Sequence, residues 1–347
     1  MAEGERKGLD IDYATAWSYG VAESWNMLIP NFMGGDSGAT FSRDGEVAEA
    51  LKEVGLDKRV AQQLPTYWGE QPYTAGPTYL GAVAIFLALL GLILAAPRDR
   101  WWILAASALA LLMSWGYHAM WFTELCFNFL PLYNKFRTVS MSLVVIEWSV
   151  PLLAGLALWQ LWQTIDDKRR VRRALILSAG IAGGVTLLFA LAGGSMFDFG
   201  RETFGDAMSQ QFYYMLKESG AEDMITKGVH DELGWAVADA MADERADILT
   251  ADALRSLLFV VLAAAVVALG VYGRLRRGWV VALLGVLVCV DMVPVAFRYL
   301  SYDDFVSPRR AKIEPTAADR EIMADTSLGY RVLNLSVSPL NDATTSM

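Results

Sequence analysis

Cysteine and histidine are scarce in these 347 residues, with two of each. Cys126 and Cys289 sit in or beside apolar runs, which argues against a disulfide framework or a thiolate metal site and leaves both as small core residues. His118 and His230 lie far apart in the chain, so a histidine-rich metal centre is not expected. An excess of positive charge is missing too: the net charge of -9 argues against a nucleic-acid partner. No basic stretch followed by a short apolar core opens the chain, and no internal repeat or low-complexity linker interrupts it.

What the chain has in abundance is apolar surface. It is 54% hydrophobic, with twelve tryptophans and a mean hydropathy of +0.32, a combination that points to a membrane protein. Six runs are read as membrane spans: 78 to 96, 101 to 117, 140 to 162, 174 to 193, 254 to 273 and 278 to 297. A soluble enzyme is excluded, because a chain of this size could not cover them. The expected fold class is therefore an all-α integral membrane protein with about six transmembrane helices and helical extramembrane loops. A small β element is expected to begin at the C-terminus, where "YRVLNLSVSP" (330 to 339) alternates like a strand.

The loops between spans differ in charge. The turn at Arg98 and Arg100, the run "DDKRRVRR" (166 to 173) and "GRLRRG" (273 to 278) are short and basic, and are expected on the cytoplasmic side. The connection from 194 to 253 carries thirteen Asp and Glu against four Lys and Arg. It is expected outside, along with residues 1 to 77 and 298 to 347. The first segment contains an amphipathic stretch (Trp17, Tyr19, Val21, Trp25, Leu28) of interfacial character, broken at Pro30 and Gly34-Gly35, and a short surface helix at 46 to 55. Nothing in residues 1 to 77 would carry them across a membrane, so the chain is expected to be a piece of a longer protein with earlier spans, and 298 to 347 the start of a truncated C-terminal domain. In the outer loop, helices are expected over "AMSQQFYYMLKESG", closed by Gly220, and from about Asp231.

The stretches "ESWNMLIPNFMGG", "YWGEQPYTAGPTYLGAVAIFLALLG", "LLMSWG", "LPLYNKFRTVSM" and "YRVLNLSVSPLNDATTS" together resemble the central and C-terminal part of the bacterial YfhO family of polytopic membrane proteins. That family is similar to the GT-C glycosyltransferases. The resemblance implies a bacterial cytoplasmic-membrane protein that takes a sugar from a polyprenyl-phosphate donor and passes it to a cell-surface polymer or glycolipid outside. It also implies that the main catalytic carboxylate lies in an earlier loop, so none is carried over.

Two acids interrupt the spans at similar depth: Glu147, about nine residues or roughly 13 Å into the third, and Asp291, about six residues from the end of the sixth. Both are candidates to bind sugar hydroxyls or accept a proton from an acceptor. Alternatively Glu147 pairs with Arg137 or a neighbouring backbone, and Asp291 reaches to the interface. Arg137 and Lys135 at the mouth of the third span are candidates for the donor phosphate, with His118 and Glu124 in the adjoining turn. Glu70, Gln71 and Tyr73 suit sugar contacts or an ordinary turn, Glu23 reads as solvated, and Asp303 and Asp304 just outside the sixth span could bind a divalent ion but read more readily as solvated. Gly180 and Gly184 read as close helix packing. The alternative function is a non-enzymatic transporter or scaffold in a surface-glycan pathway.

Overall fold

The computed structural model describes residues 8–72, 75–300, 302, 305, 307 and 315–325. Its described α-helices are α1 (Ile11–Thr15), α2 (Glu46–Glu53), α3 (Ala82–Leu94), α4 (Pro97–Ser114), α5 (Met120–Phe129), α6 (Val144–Gln163), α7 (Lys168–Met196), α8 (Arg201–Glu218), α9 (Glu222–Thr226), α10 (Val229–Val271), α11 (Arg277–Tyr299) and α12 (Ala317–Ala324). No strand forms among the described residues, where an isolated bridge joins Thr40 and Pro65. The strand expected at 330 to 339, together with Tyr73, Asp303 and Asp304, lies outside the described residues.

The chain divides into two units, Met1–Tyr299 and Leu300–Met347. In the second, α12 opens with a capping box in which Thr316 and Asp319 satisfy each other's backbone amides.

In the first unit, four described helices are long and apolar enough to cross a membrane: Val139–Gln163 (the 3-10 turn before α6 continued into α6), α7, α10 and α11. They are consistent with a multi-pass membrane protein. The other two expected spans differ from the sequence reading. The run 78 to 96 is helical only over 13 residues, about 20 Å, which is short of ~30 Å of hydrocarbon. Gly81, at φ 92°, keeps the chain out of helical geometry until that point. The second run, α4, meets the next apolar helix at an angle of 112°. The break is at Gly116, whose φ of 47° and contact with the Ser18 hydroxyl leave no room for a side chain.

α10 organises the unit. Its 43 residues make a rod of about 65 Å, twice the hydrocarbon thickness. The sequence reading separated an outer helix from a span near residue 254, but this alanine-rich stretch has no proline, and its glycines lie near the ends, so one helix runs through. Val237, Met241, Arg245, Leu249, Ala253, Ser256, Val260, Ala263 and Val267 form one buried stripe down its length. The apolar half packs against α7, α3 and α11, and the polar half against α8 and α2. The Glu244 carboxylate accepts from the Val47 amide at 3.0 Å, giving α2 the N-terminal anion that its own Gly45 cannot supply.

On α7 the packing residues are Ala174, Ser178, Ala182, Gly183, Thr186 and Gly193. Gly180 and Gly184 face outward with open space beside them, so the expected close packing falls to Gly183, against Leu257 and Val260. The segment before α2 also departs from expectation. It is α-helical only over α1, and Tyr19 and Leu28 turn inward while Ile29, Phe32 and Met33 join the core beside α3 and α10. Val21 and Trp25 stay exposed.

The bundle has two chemically different ends. At one, Arg100 donates to the carbonyls of Leu92 (3.1 Å) and Ile93 (3.2 Å), and Arg170 to that of Leu94 (3.1 Å), so basic residues at the starts of α4 and α7 cap the last turn of α3. Nearby loops are closed by Arg277 over the Trp162 ring. The buried acids Glu23, Asp252 and Asp291 and the arginines that meet the last two, Arg298 and Arg255, gather at the other end.

Arg245 is the largest fully buried side chain, and no carboxylate among the described residues meets it. Its guanidinium donates to the carbonyls of Thr66 (2.9 Å), Phe199 (2.7 Å) and Pro65 (2.7 Å) and stacks on Phe204 at 4.3 Å. Arg245→Met leaves three carbonyls without donors and is expected to cost about 3 kcal/mol or more, read as a lower unfolding temperature in detergent. Arg245→Lys should recover only part of this, because one ammonium cannot reproduce the planar fork.

Candidate functional site at the polar end

Two clusters form at the polar end. The first joins α3, α10 and α11 around Asp291, which is fully buried. Tyr79 donates its hydroxyl to Oδ1 at 2.6 Å, Arg255 reaches the same oxygen at 3.0 Å, and the Val83 amide donates to Oδ2 at 3.3 Å. Arg255 also donates to the Asp291 backbone carbonyl. Asp291 is thus the anionic cap of α3, whose N-cap Gly81 has no side chain to serve. One turn outward the charges reverse: Arg298 of α11 grips Asp252 of α10 at 2.5 and 2.8 Å, and Asp252 also accepts from the Asn31 amide at 3.2 Å. Tyr299 closes this layer by donating to Asn31 Oδ1 at 2.6 Å.

Asp291 therefore does not reach to an interface, as the simpler sequence reading had it. Its oxygens are engaged by a phenol, a guanidinium and an amide, which gives it a structural task.

The second cluster centres on Glu23, expected to be solvated and found fully buried. Its carboxylate accepts from the Gly20 amide (3.1 Å), the Glu70 amide (3.0 Å), the Gln71 side chain (2.8 Å) and the Tyr67 hydroxyl. These donors are neutral, and together they tie the 67 to 71 turn to the segment before α2. Burial, with the Glu23 charge second, pushes the Tyr67 and Tyr19 phenols well above their ordinary values, so both remain protonated donors. Glu70 itself points outward. Its Oε2 lies 2.9 Å from His118 Nε2, outside hydrogen-bond geometry, and His118 stacks on Tyr117 at 3.9 Å.

Beside this turn, Trp17, Gln71, Arg137, Thr138 and Ser140 line a cavity of about 320 Å³. Arg137 is exposed and is held by the Tyr13 hydroxyl at 2.8 Å. Thr138, at φ 65°, turns the chain sharply between Arg137 and the start of the third apolar run.

The fold thus brings Glu70, Gln71, His118 and Arg137 to one neighbourhood and sends the other candidates elsewhere. Lys135 is exposed and does not line the cavity, and Glu124 is exposed on α5. Glu147 occupies the first turn of α6, exposed on its outward face, away from the cavity and without a polar partner among the described residues. Pairing with Arg137 is not formed. No group of three or more His, Cys, Asp or Glu among the described residues is arranged to hold a metal ion.

Sequence reading missed Tyr79, Asp252, Arg255 and Arg298, although a signal was present. Asp252 and Arg255 are three apart on one apolar helix and Asp291 and Arg298 seven apart on the next, so each pair shares a helix face with opposite signs.

No family model, curated protein or solved structure matches the chain. The fold and its polar end therefore define a class and no more: a helical protein with four apolar candidate spans, consistent with a multi-pass membrane protein.

Asp291→Asn should leave the partly buried Arg255 without its counter-charge and lower stability by about 2 kcal/mol, with a matching fall in membrane abundance. The paired change Asp291→Leu with Arg255→Met should recover much of the loss in a double-mutant cycle. Glu23→Gln should instead act locally, raising amide hydrogen exchange at residues 67 to 71 while leaving α10 protected.

Proposed function

We propose that this chain is part of a membrane glycosyltransferase of the GT-C kind, acting outside the bacterial cytoplasmic membrane on a polyprenyl-phosphate-linked sugar. A surface polymer or glycolipid would be the acceptor. The observation that carries this reading is the open recess around Arg137: a guanidinium, an amide, two hydroxyls and an indole line about 320 Å³. That volume lies at the low end of ligand sites and suits one sugar with its phosphate. A planar guanidinium can grip phosphate oxygens in pairs, and Gln71 and the Trp17 ring suit sugar hydroxyls and a sugar face.

The charge of the loops supports the sidedness. The basic loops gather at the far end of the bundle, a pattern that supports a cytoplasmic position for them and an outer one for the cavity. The resemblance to the YfhO family supports the same side and donor. In this reading Arg137 and Gln71 bind the donor, Glu23 positions Gln71, and Asp291 holds the bundle together. The carboxylate that activates the acceptor would come from elsewhere in the whole protein.

A second reading, a lipid-linked-glycan transporter, is favoured by the 112° break between α4 and α5, since broken helices recur at transporter binding sites.

The test uses membranes containing the whole protein and radiolabelled polyprenyl-phosphate sugars. Arg137→Ala is expected to lower transfer into polymer by about 10²-fold, and Gln71→Ala by about tenfold, at unchanged abundance. Label that crosses the bilayer without changing its chemical linkage would support the transporter. Donor that is neither consumed nor moved would remove both readings.

A further inference from the structure

We infer that the outward face of α6 from Glu147 to Gly155 is a docking surface for another transmembrane helix, one that carries a lysine or arginine level with Glu147. Three observations on that face converge. The first is the carboxylate itself. Glu147 lies in a 25-residue apolar span and is exposed beside Val144, Trp148 and Leu152, whereas ionisable groups inside a membrane almost always face protein or water.

The second is Pro151. It has no N–H, so the carbonyl of residue 147, four positions back, loses its helical donor and is left as another acceptor at the same level. The third is Gly155, one more turn along the same stripe. No atom lies within 4 Å of where its side chain would be, so the helix has a notch between Trp148 and Trp159, which are 77% and 58% exposed. Small residues of this kind let a second helix approach closely.

Two acceptors without a donor, above a notch, call for a helix that brings the donor, and a cation satisfies both charge and geometry. Acyl chains offer no donor. A second copy of this chain does not supply one either. In the same bilayer and orientation its Lys135 and Arg137 would stand where this chain's own do, before the turn at Thr138 and outside the helical run that carries Glu147. Its Arg255 and Arg298 are already engaged by Asp291 and Asp252.

The experiment places a photo-crosslinking amino acid at Leu152 in the whole protein, in membranes of the cells that make it, with Leu187 on the exposed side of α7 as control. The expected result is a protein adduct from position 152 and none from 187. The attachment site should map to an apolar helix within a turn of a Lys or Arg, and replacing that residue by Leu should remove the adduct. Gly155→Leu and Glu147→Leu should each reduce it by about tenfold, equivalent to about 1.4 kcal/mol, with unchanged unfolding temperature in detergent. The proposal is overturned by adducts to lipid only, to a second copy, or to a helix without a basic residue. It is equally overturned if the adduct is indifferent to both variants, or if either variant lowers the unfolding temperature, which would mean that the face packs within this chain.

Discussion

The structure depends on how three chain segments satisfy their polar groups at the level where they enter apolar surroundings. α10 presents Asp252 and Arg255, α11 presents Arg298 and Asp291, and the two ion pairs that result have opposite polarity. Reversal of sign fixes the register of the two helices, because a slip of one turn would set like charges opposite each other. Asp291 then reaches a third helix, holding both the Tyr79 hydroxyl and the first amides of α3. Pairs whose carboxylates are buried add little net stability, but removing the arginine leaves a carboxylate in a low-dielectric interior. The layer therefore acts mainly as a specification of how α3, α10 and α11 assemble.

α10 carries the order set by that layer out to the polar half of the unit. Its buried stripe keeps the same spacing from Val237 to Val267, so the helix that packs among apolar neighbours also supports α8 and α2. Where the rod leaves the apolar bundle, Arg245 replaces a carboxylate partner with carbonyl oxygens and an aromatic face. Two of those carbonyls, from Pro65 and Thr66, belong to the turn that precedes Glu70 and Gln71, so the turn beside the cavity is tied both to α10 and, through Gln71, to Glu23.

Charge is distributed in a way that separates fold from recognition. Asp252, Asp291 and Glu23 are buried and their oxygens are engaged. Arg137, Glu70 and Glu147 are exposed. Only groups of the second kind are available to a ligand or partner, and they point in different directions. Arg137 and Glu70 belong with the cavity and its neighbouring turn, Glu147 with the outward face of α6.

The sequence by itself determined the class of fold, the polarity of the two ends and several elements. Composition and run length made the chain helical and apolar, the basic loops marked one end, and α2 and α11 fall close to where periodicity set them, while α7 and α8 each begin six residues earlier than expected. These are local properties, governed by propensity and by the cost of burying apolar area. Tertiary structure alone decided which acids are structural. Glu23 read as solvated and Asp291 as reaching an interface, because a carboxylate's fate depends on donors supplied from 48 and 36 residues away, at Gln71 and Arg255. The same holds for Glu147, which a hydropathy pattern places in a span without saying which way it faces. Helix continuity through residue 254, the break at Gly116 and the choice of Gly183 over the Gly180 and Gly184 pair were likewise settled by packing. Nothing in a local window records which neighbour will occupy each face, since that follows from contacts between residues distant in the chain.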